Sequence, residues 1–144
     1  MLKNIPNIIS PELLKILSEM YFYQLIRIAD GNFPAESIGK ECKVIRMDGH
    51  NIPEVLDAIL RLFPLDSYVA HPVSLMEVMK GDNVKTPIWD EYRLIVKEYD
   101  TRGENAFENI ERFSFYEKSK KAYAIIATGE KALYANIILQ KGVI

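Results

Sequence analysis

Apolar and polar positions alternate in two periods along this chain. A helical stripe of Leu13, Leu14, Leu17 and Met20 follows Ser10-Pro11-Glu12, where serine serves as N-cap, proline occupies the first turn and the acid favours the helix dipole. Leu25-Ile26-Arg27-Ile28-Ala29 has the character of a buried strand that stops at Asp30, and Lys43 to Met47 repeats it before Asp48-Gly49. A second helix is expected from Asn51 or Ile52, with Val55, Leu56, Ile59, Leu60 and Phe63 on one face and Pro64 as its end. Ser67 to Met79 reads as irregular strand, closed by Gly81-Asp82. Thr86-Pro87 opens a third helix with Trp89, Tyr92, Val96 and Tyr99 on its apolar side, and Asp100 to Asn105 reads as an exposed loop. A short helix through Phe115, Tyr116 and Lys118 to Lys121 leads into the apolar strand Ala122 to Ala127, a turn at Thr128-Gly129-Glu130 and a last strand over Asn136 to Leu139. Helices alternating with near-continuous apolar strands predict an α/β fold, a three-layer sandwich with a largely parallel central sheet.

Composition narrows the classes. The 144 residues are 49% hydrophobic and 26% charged, the profile of one domain spanning 1–144 with a single core. A net charge of -2 and scattered basic residues argue against a nucleic-acid partner. One cysteine, Cys42, excludes an internal disulfide and is expected to be a structural thiol. No signal-peptide stretch begins the chain and no apolar run has bilayer length, so no membrane partner is expected and the cytoplasm is the expected compartment.

Candidate chemistry concentrates where strands end, because ligands of open α/β sheets sit beyond the carboxyl ends of the strands. Asp30 holds such an end; its carboxylate is either a sugar-hydroxyl acceptor and base, or a turn cap paired with a nearby cation. Arg112, set between Ile110-Glu111 and the aromatic residues Phe113 and Phe115, is either a surface arginine or a packed guanidinium that offers donors to ligand oxygens. Tyr134 and Asn136 just before the last strand can each donate and accept, which suits a polyhydroxylated ligand as well as ordinary turn packing. His50 and His71 lack metal-pair or triad spacing, and no glycine-rich phosphate loop is present, so no metal or cofactor is expected. Trp89 and Tyr21-Phe22-Tyr23 are assigned to core or subunit contacts rather than to sugar stacking, and nothing singles out Glu117 or Glu130 as a second carboxylate.

Several motifs in one order carry a resemblance: Ile9-Ser10-Pro11-Glu12-Leu13-Leu14, Ala29-Asp30 with Asn32-Phe33-Pro34, Arg46-Met47-Asp48-Gly49, Pro64 to Tyr68, Thr86-Pro87-Ile88-Trp89, Ile110 to Glu117, and Ala127 to Glu130 continuing to Tyr134-Ala135-Asn136. Together they resemble the fucose mutarotase and ribose pyranase family over nearly the whole chain. The resemblance implies a three-layer α/β fold, a ring-shaped homo-oligomer of up to ten subunits with sugar sites near subunit boundaries, and cofactor-free interconversion of the anomers of L-fucose or a similar aldose. It assigns sugar contacts to Asp30, Arg112, Tyr134 and Asn136, with Asp30 and Tyr134 as the acid/base groups.

One position departs from the pattern. Where relatives carry Gly-His-Gly-Asp-Glu after the first helix, this chain has Tyr21-Phe22-Tyr23-Gln24-Leu25, so Phe22 replaces the proton-donating histidine. Phenylalanine cannot exchange a proton, whereas histidine titrates near neutrality. Either Asp30 with a tyrosine (Tyr134, Tyr21 or Tyr23) or a water sustains the reaction, or the chain is a non-catalytic or weakly catalytic monosaccharide sensor or carrier, or the altered loop accepts another sugar.

Overall fold

A computed structural model describes residues 1–144. The chain order is α1 (Pro11–Glu19), β1 (Leu25–Ala29), α2 (Ala35–Ile38), β2 (Lys43–Met47), α3 (Ile52–Leu60), β3 (Val73–Met76), α4 (Pro87–Tyr99), β4 (Phe107–Ile110), α5 (Arg112–Lys120), β5 (Ala124–Thr128) and β6 (Ile137–Gln140). The six strands lie side by side as β2-β5-β1-β6-β3-β4. All run parallel except β6, which is antiparallel to both of its neighbours, β1 and β3.

Local chemistry starts α1 and α3 as expected, whereas at α4 the Thr86 side chain makes no cap bond and Pro87 alone marks the first turn. The Leu13 N–H bonds to Ser10 Oγ at 3.1 Å, and α3 opens with a reciprocal capping box in which Asn51 accepts from Glu54 N–H and Glu54 accepts from Asn51 N–H. Successive residues of β1 face opposite sides of the sheet. Ile26 and Ile28 join the large core built with α1, α3 and α4, while Leu25 packs with Phe115 of α5 and Ala29 with Ala35 of α2. Three layers result, with both sheet faces covered.

Three expectations need correction, and one strand was not anticipated. Helix α3 ends at Leu60 rather than reaching Phe63, which is nonetheless buried in the following turn. Of Ser67 to Met79 only Val73–Met76 is strand; before it, the buried Asp66 carboxylate accepts from Tyr68 N–H and Gln140 Nε2 and fixes an irregular loop. The polar stretch after α4 is not merely a loop, because Arg102 donates to the Asp66 and Val69 carbonyls and to Asp100, and a 3-10 turn over Gly103–Ala106 feeds β4. Strand β4 itself, Phe-Glu-Asn-Ile at the sheet edge, is too short and too polar to register as a run.

The reversal of β6 has a geometric consequence for the site. It brings the amino end of β6 to the same edge as the carboxyl ends of β1, β3 and β4, so that Asp30, Arg112 and the residues before Ile137 meet there.

Candidate functional site

Asp30, Arg112, Tyr134 and Asn136 line one cavity of about 310 Å³ at that edge, a size within the usual range of small-ligand pockets. Phe33, Met76, Tyr116 and Leu133 supply its apolar wall. The four side chains therefore face a common space.

Asp30 and Asn136 form a closed pair. Asn136 Oδ1 accepts from the Asp30 backbone N–H at 3.1 Å, and Asn136 Nδ2 donates to Asp30 Oδ2 at 2.6 Å. The other carboxylate oxygen accepts from Asn32 N–H at 3.0 Å, closing an Asx turn. Both side chains are buried. Burial raises the Asp30 carboxyl above its ordinary value, while the Asn32 N–H, Arg27 and Asn136 act in the opposite direction. This arrangement suits a base: a fixed carboxylate, desolvated enough to gain basicity. Asn136 spends its carbonyl and one amide hydrogen on Asp30, which leaves a single N–H for a ligand.

Tyr134 sits with φ of 57°, a left-handed conformation uncommon outside glycine. The strain is held from behind by two members of α4: Trp89 Nε1 donates to the Tyr134 carbonyl at 2.8 Å, and Tyr92 Oη donates to the Ala135 carbonyl at 2.7 Å. Trp89 is thus a core brace, not a stacking platform. The Tyr134 hydroxyl donates to Asp82 Oδ2 at 2.6 Å and accepts from Met79 N–H at 3.3 Å. The bond to Asp82 raises the phenol above its ordinary value. Arg112 begins α5, whose N-terminus is capped by Glu111. Its Nη1 lies 3.1 Å from Met79 Sδ and its Cζ 5.7 Å from the Tyr116 ring centre, leaving most of the guanidinium's donors free.

Asp82 and Met79 are cavity residues that sequence reasoning missed. Gly81-Asp82 had read only as the stop of a strand, and nothing in its spacing ties it to Tyr134, 52 residues away.

Other candidates fall elsewhere. Tyr21, Phe22 and Tyr23 precede β1 and so stand at the opposite end of the sheet from Asp30, roughly 20 Å away by strand rise. Within one chain neither Tyr21 nor Tyr23 is the acid partner of Asp30. Glu130 caps the start of α3 through Ile52 N–H and accepts from Lys131 and Ala132 N–H, and Glu117 pairs with Lys120 on the surface. His71 Nδ1 lies 2.9 Å from the Asn105 carbonyl, and His50 lies near Glu54. No three His, Cys, Asp or Glu side chains gather into a metal-binding set, and no helix is long and apolar enough to cross a membrane.

Comparison with known proteins agrees with this architecture. The model of the RbsD / FucU transport protein family matches residues 3–144. The fucose mutarotase of Mus musculus is 48% identical over 145 residues, covering 98% of this chain and 94% of that protein. The crystal structure of FucU from Bifidobacterium longum superposes with a TM-score of 0.97 at 60% identity, covering 99% of both chains. The fucose mutarotase from Streptococcus pneumoniae, solved in complex with L-fucose, gives 0.90 at 50% identity, again over 99% of each chain. With a match over residues 3–144 and a common fold, the chain belongs to the RbsD / FucU family.

Proposed function

We propose that this chain, acting as one domain over residues 1–144, interconverts the α and β anomers of L-fucose or a closely similar aldose. The observation that carries the reading is the gathering of Asp30, Arg112, Tyr134 and Asn136 on one monosaccharide-sized cavity, joined to the kinship with proteins named for fucose mutarotation.

Mutarotation needs one proton removed from the anomeric hydroxyl and one delivered to the ring oxygen, so that the bond from the anomeric carbon to the ring oxygen breaks and a free aldehyde forms. Asp30 takes the first proton, because its buried carboxylate is held rigidly by Asn136 and Asn32. Tyr134 gives the second from its phenol. Rotation about the bond between the first two carbons presents the other face of the carbonyl; the ring hydroxyl then adds to it, returning its proton to Tyr134 while Asp30 re-protonates the new anomeric oxygen. Both groups end as they began. Arg112 holds sugar hydroxyls through its free donors, and the apolar wall of Phe33, Met76 and Leu133 faces the less polar part of the ring.

A second reading rests on two specific features. Phe22 supplies no proton, and the Tyr134 proton is already given to Asp82, so sugar must displace that bond before the phenol can act. On that reading the chain binds the monosaccharide and adds little rate. Exchange NMR on the anomeric protons of L-fucose separates the two. Accelerated exchange supports the enzyme; binding by calorimetry with exchange at the solvent rate selects the binder; absence of binding to any tested aldose overturns both.

The same reading includes a cytoplasmic, ring-shaped homo-oligomer of up to ten subunits. Supporting it are the exposed aromatic residues at the far end of the sheet, Tyr21, Phe22, Tyr23 and Tyr68, which a neighbouring subunit would cover. Light scattering on the purified protein tests the assembly.

A further inference from the structure

Strand β1 carries an arginine in its middle. Arg27 is 1% exposed, flanked in sequence by Ile26 and Ile28, and it faces the α2 and α5 side with Leu25 and Ala29. Its one hydrogen bond runs from Nη1 to Ser119 Oγ at 2.6 Å, and its Nε has no partner at all. Aromatic rings surround the guanidinium instead: its Cζ is 3.4 Å from the centre of the Phe33 ring, 5.0 Å from that of Phe115 and 6.0 Å from that of Tyr116.

A buried cation with so few partners opposes stability, and an apolar residue of similar volume is commonly as good or better in such a place. The strand pattern itself would accept one. What distinguishes the location is its neighbours. Phe33 and Tyr116 are both walls of the Asp30 cavity, and Phe33 N–H bonds back to the Asp30 carbonyl at 3.2 Å. A cation stacked on an aromatic face restrains that ring, most strongly where water is excluded.

Resting on the function proposed above, we infer that Arg27 is a positioning residue of the sugar cavity: its guanidinium, laid over the Phe33 ring, fixes that wall and provides a buried positive charge behind the Asp30 carboxylate. The other titratable and charged groups around Asp30 do not substitute for it. Tyr92 from α4, Tyr116 from α5 and Tyr134 carry phenols rather than cations, Glu130 beyond β5 and Asp82 on the cavity rim are acids, and Arg112 at the start of α5 is exposed to solvent. Burial pushes the Asp30 carboxyl up and Arg27 pulls it back; reciprocally, burial lowers Arg27 to about 9 while Asp30 and Tyr116 support its charge. The guanidinium therefore stays protonated at neutral pH and below.

The test compares Arg27→Met, which keeps the length and removes the charge, with Arg27→Lys, which keeps a charge and removes the stacking plane. Anomer exchange is followed against pH, and the Asp30 carboxyl carbon is titrated by NMR in the same proteins without sugar. In Arg27→Met the acid limb of the exchange profile and the Asp30 titration both move to higher pH, so that the rate at pH 5 falls about tenfold relative to the rate at pH 8. Its Tm rises by ~3 °C, since a buried charge is gone. Arg27→Lys keeps the acid limb near that of the parent and loses affinity through the loosened Phe33 wall. If the Met variant does not fold, Arg27→Ile, which favours strand, carries the same expectation. An Asp30 titration and exchange profile that superimpose on the parent's in the neutral variants overturn the inference. Parent protein that fails to exchange anomers, while Asp30 still moves in Arg27→Met, overturns the proposed activity and leaves the coupling of Arg27 to Asp30 standing.

Discussion

The two ends of the sheet treat their functional side chains in opposite ways. At the Asp30 end, polar groups are fixed inside the chain: Asn136 clasps the carboxylate, Trp89 and Tyr92 hold the strained Tyr134 loop, and Asp82 accepts a hydrogen bond from the phenol. At the Tyr21 end, Tyr21, Phe22 and Tyr23 are 73%, 49% and 59% exposed beside an apolar hollow of about 510 Å³ between α1 and the last residues of the chain. The first region is organised before any partner arrives, so little ordering is left for a monosaccharide to impose. The second is held by Tyr23 N–H to the Lys141 carbonyl, Tyr21 N–H to Gln24 Oε1 and an edge-to-face contact of Phe22 with Tyr23, and it leaves its rings largely exposed. The cavity's polar groups are thus held by the single chain, whereas the exposed rings at the other end have no partner within it.

Three substitutions break or sharpen that contrast. The largest effect is expected from Asp30→Asn, which keeps a hydrogen-bonding side chain in the cavity and removes the base: anomer exchange falls by about 100-fold or more while L-fucose affinity, measured by calorimetry, changes far less. In the parent, the base is active only when ionised, and burial raises its titration. Exchange therefore grows as pH rises through a midpoint above the ordinary aspartate range, and it is lost as pH falls below that midpoint. An acid limb at the unperturbed aspartate position would contradict the desolvated carboxylate described above. Next is Arg112→Ala. Its donors are largely uncommitted in the free protein, so removing them weakens sugar binding by roughly tenfold, the equivalent of about 1.4 kcal/mol, and exchange at saturating sugar stays within a few-fold of the parent. Smallest is Phe22→His at the far end, where exchange rises several-fold only if this turn reaches a neighbouring subunit's cavity. An increase that disappears when the assembly is dissociated by dilution locates the gain between subunits; no increase in the intact assembly separates the turn from the chemistry.

How much of this was legible in the chain depends on how far each interaction reaches. The bounds of β1 and β2 and the start of α1 follow from residues within a few positions of one another, namely β-branched runs, Ser10 and Pro11. Strand β4 was hidden because its four residues pair along one side only, with β3, and two of them, Glu108 and Asn109, are polar. The end of α3 was misplaced because Phe63 keeps its burial without staying helical. Within the site, Asp30, Arg112, Tyr134 and Asn136 were found through motif resemblance rather than through periodicity. Asp82 carried no such mark, and Arg27 looked like one polar residue in an apolar strand.

By itself the sequence determined four of the five α-helices, most of the strands, the layered α/β class and the four polar residues at the cavity. Only the tertiary structure decided that β6 runs against its neighbours, that Asn136 closes on Asp30 across 106 residues, and that Arg27 lies under Phe33 with an unpartnered Nε. Caps and periodicity act over one or two turns and are written locally, whereas strand direction, desolvation and charge coupling depend on which distant segments share a face, and that is fixed only when the whole core closes.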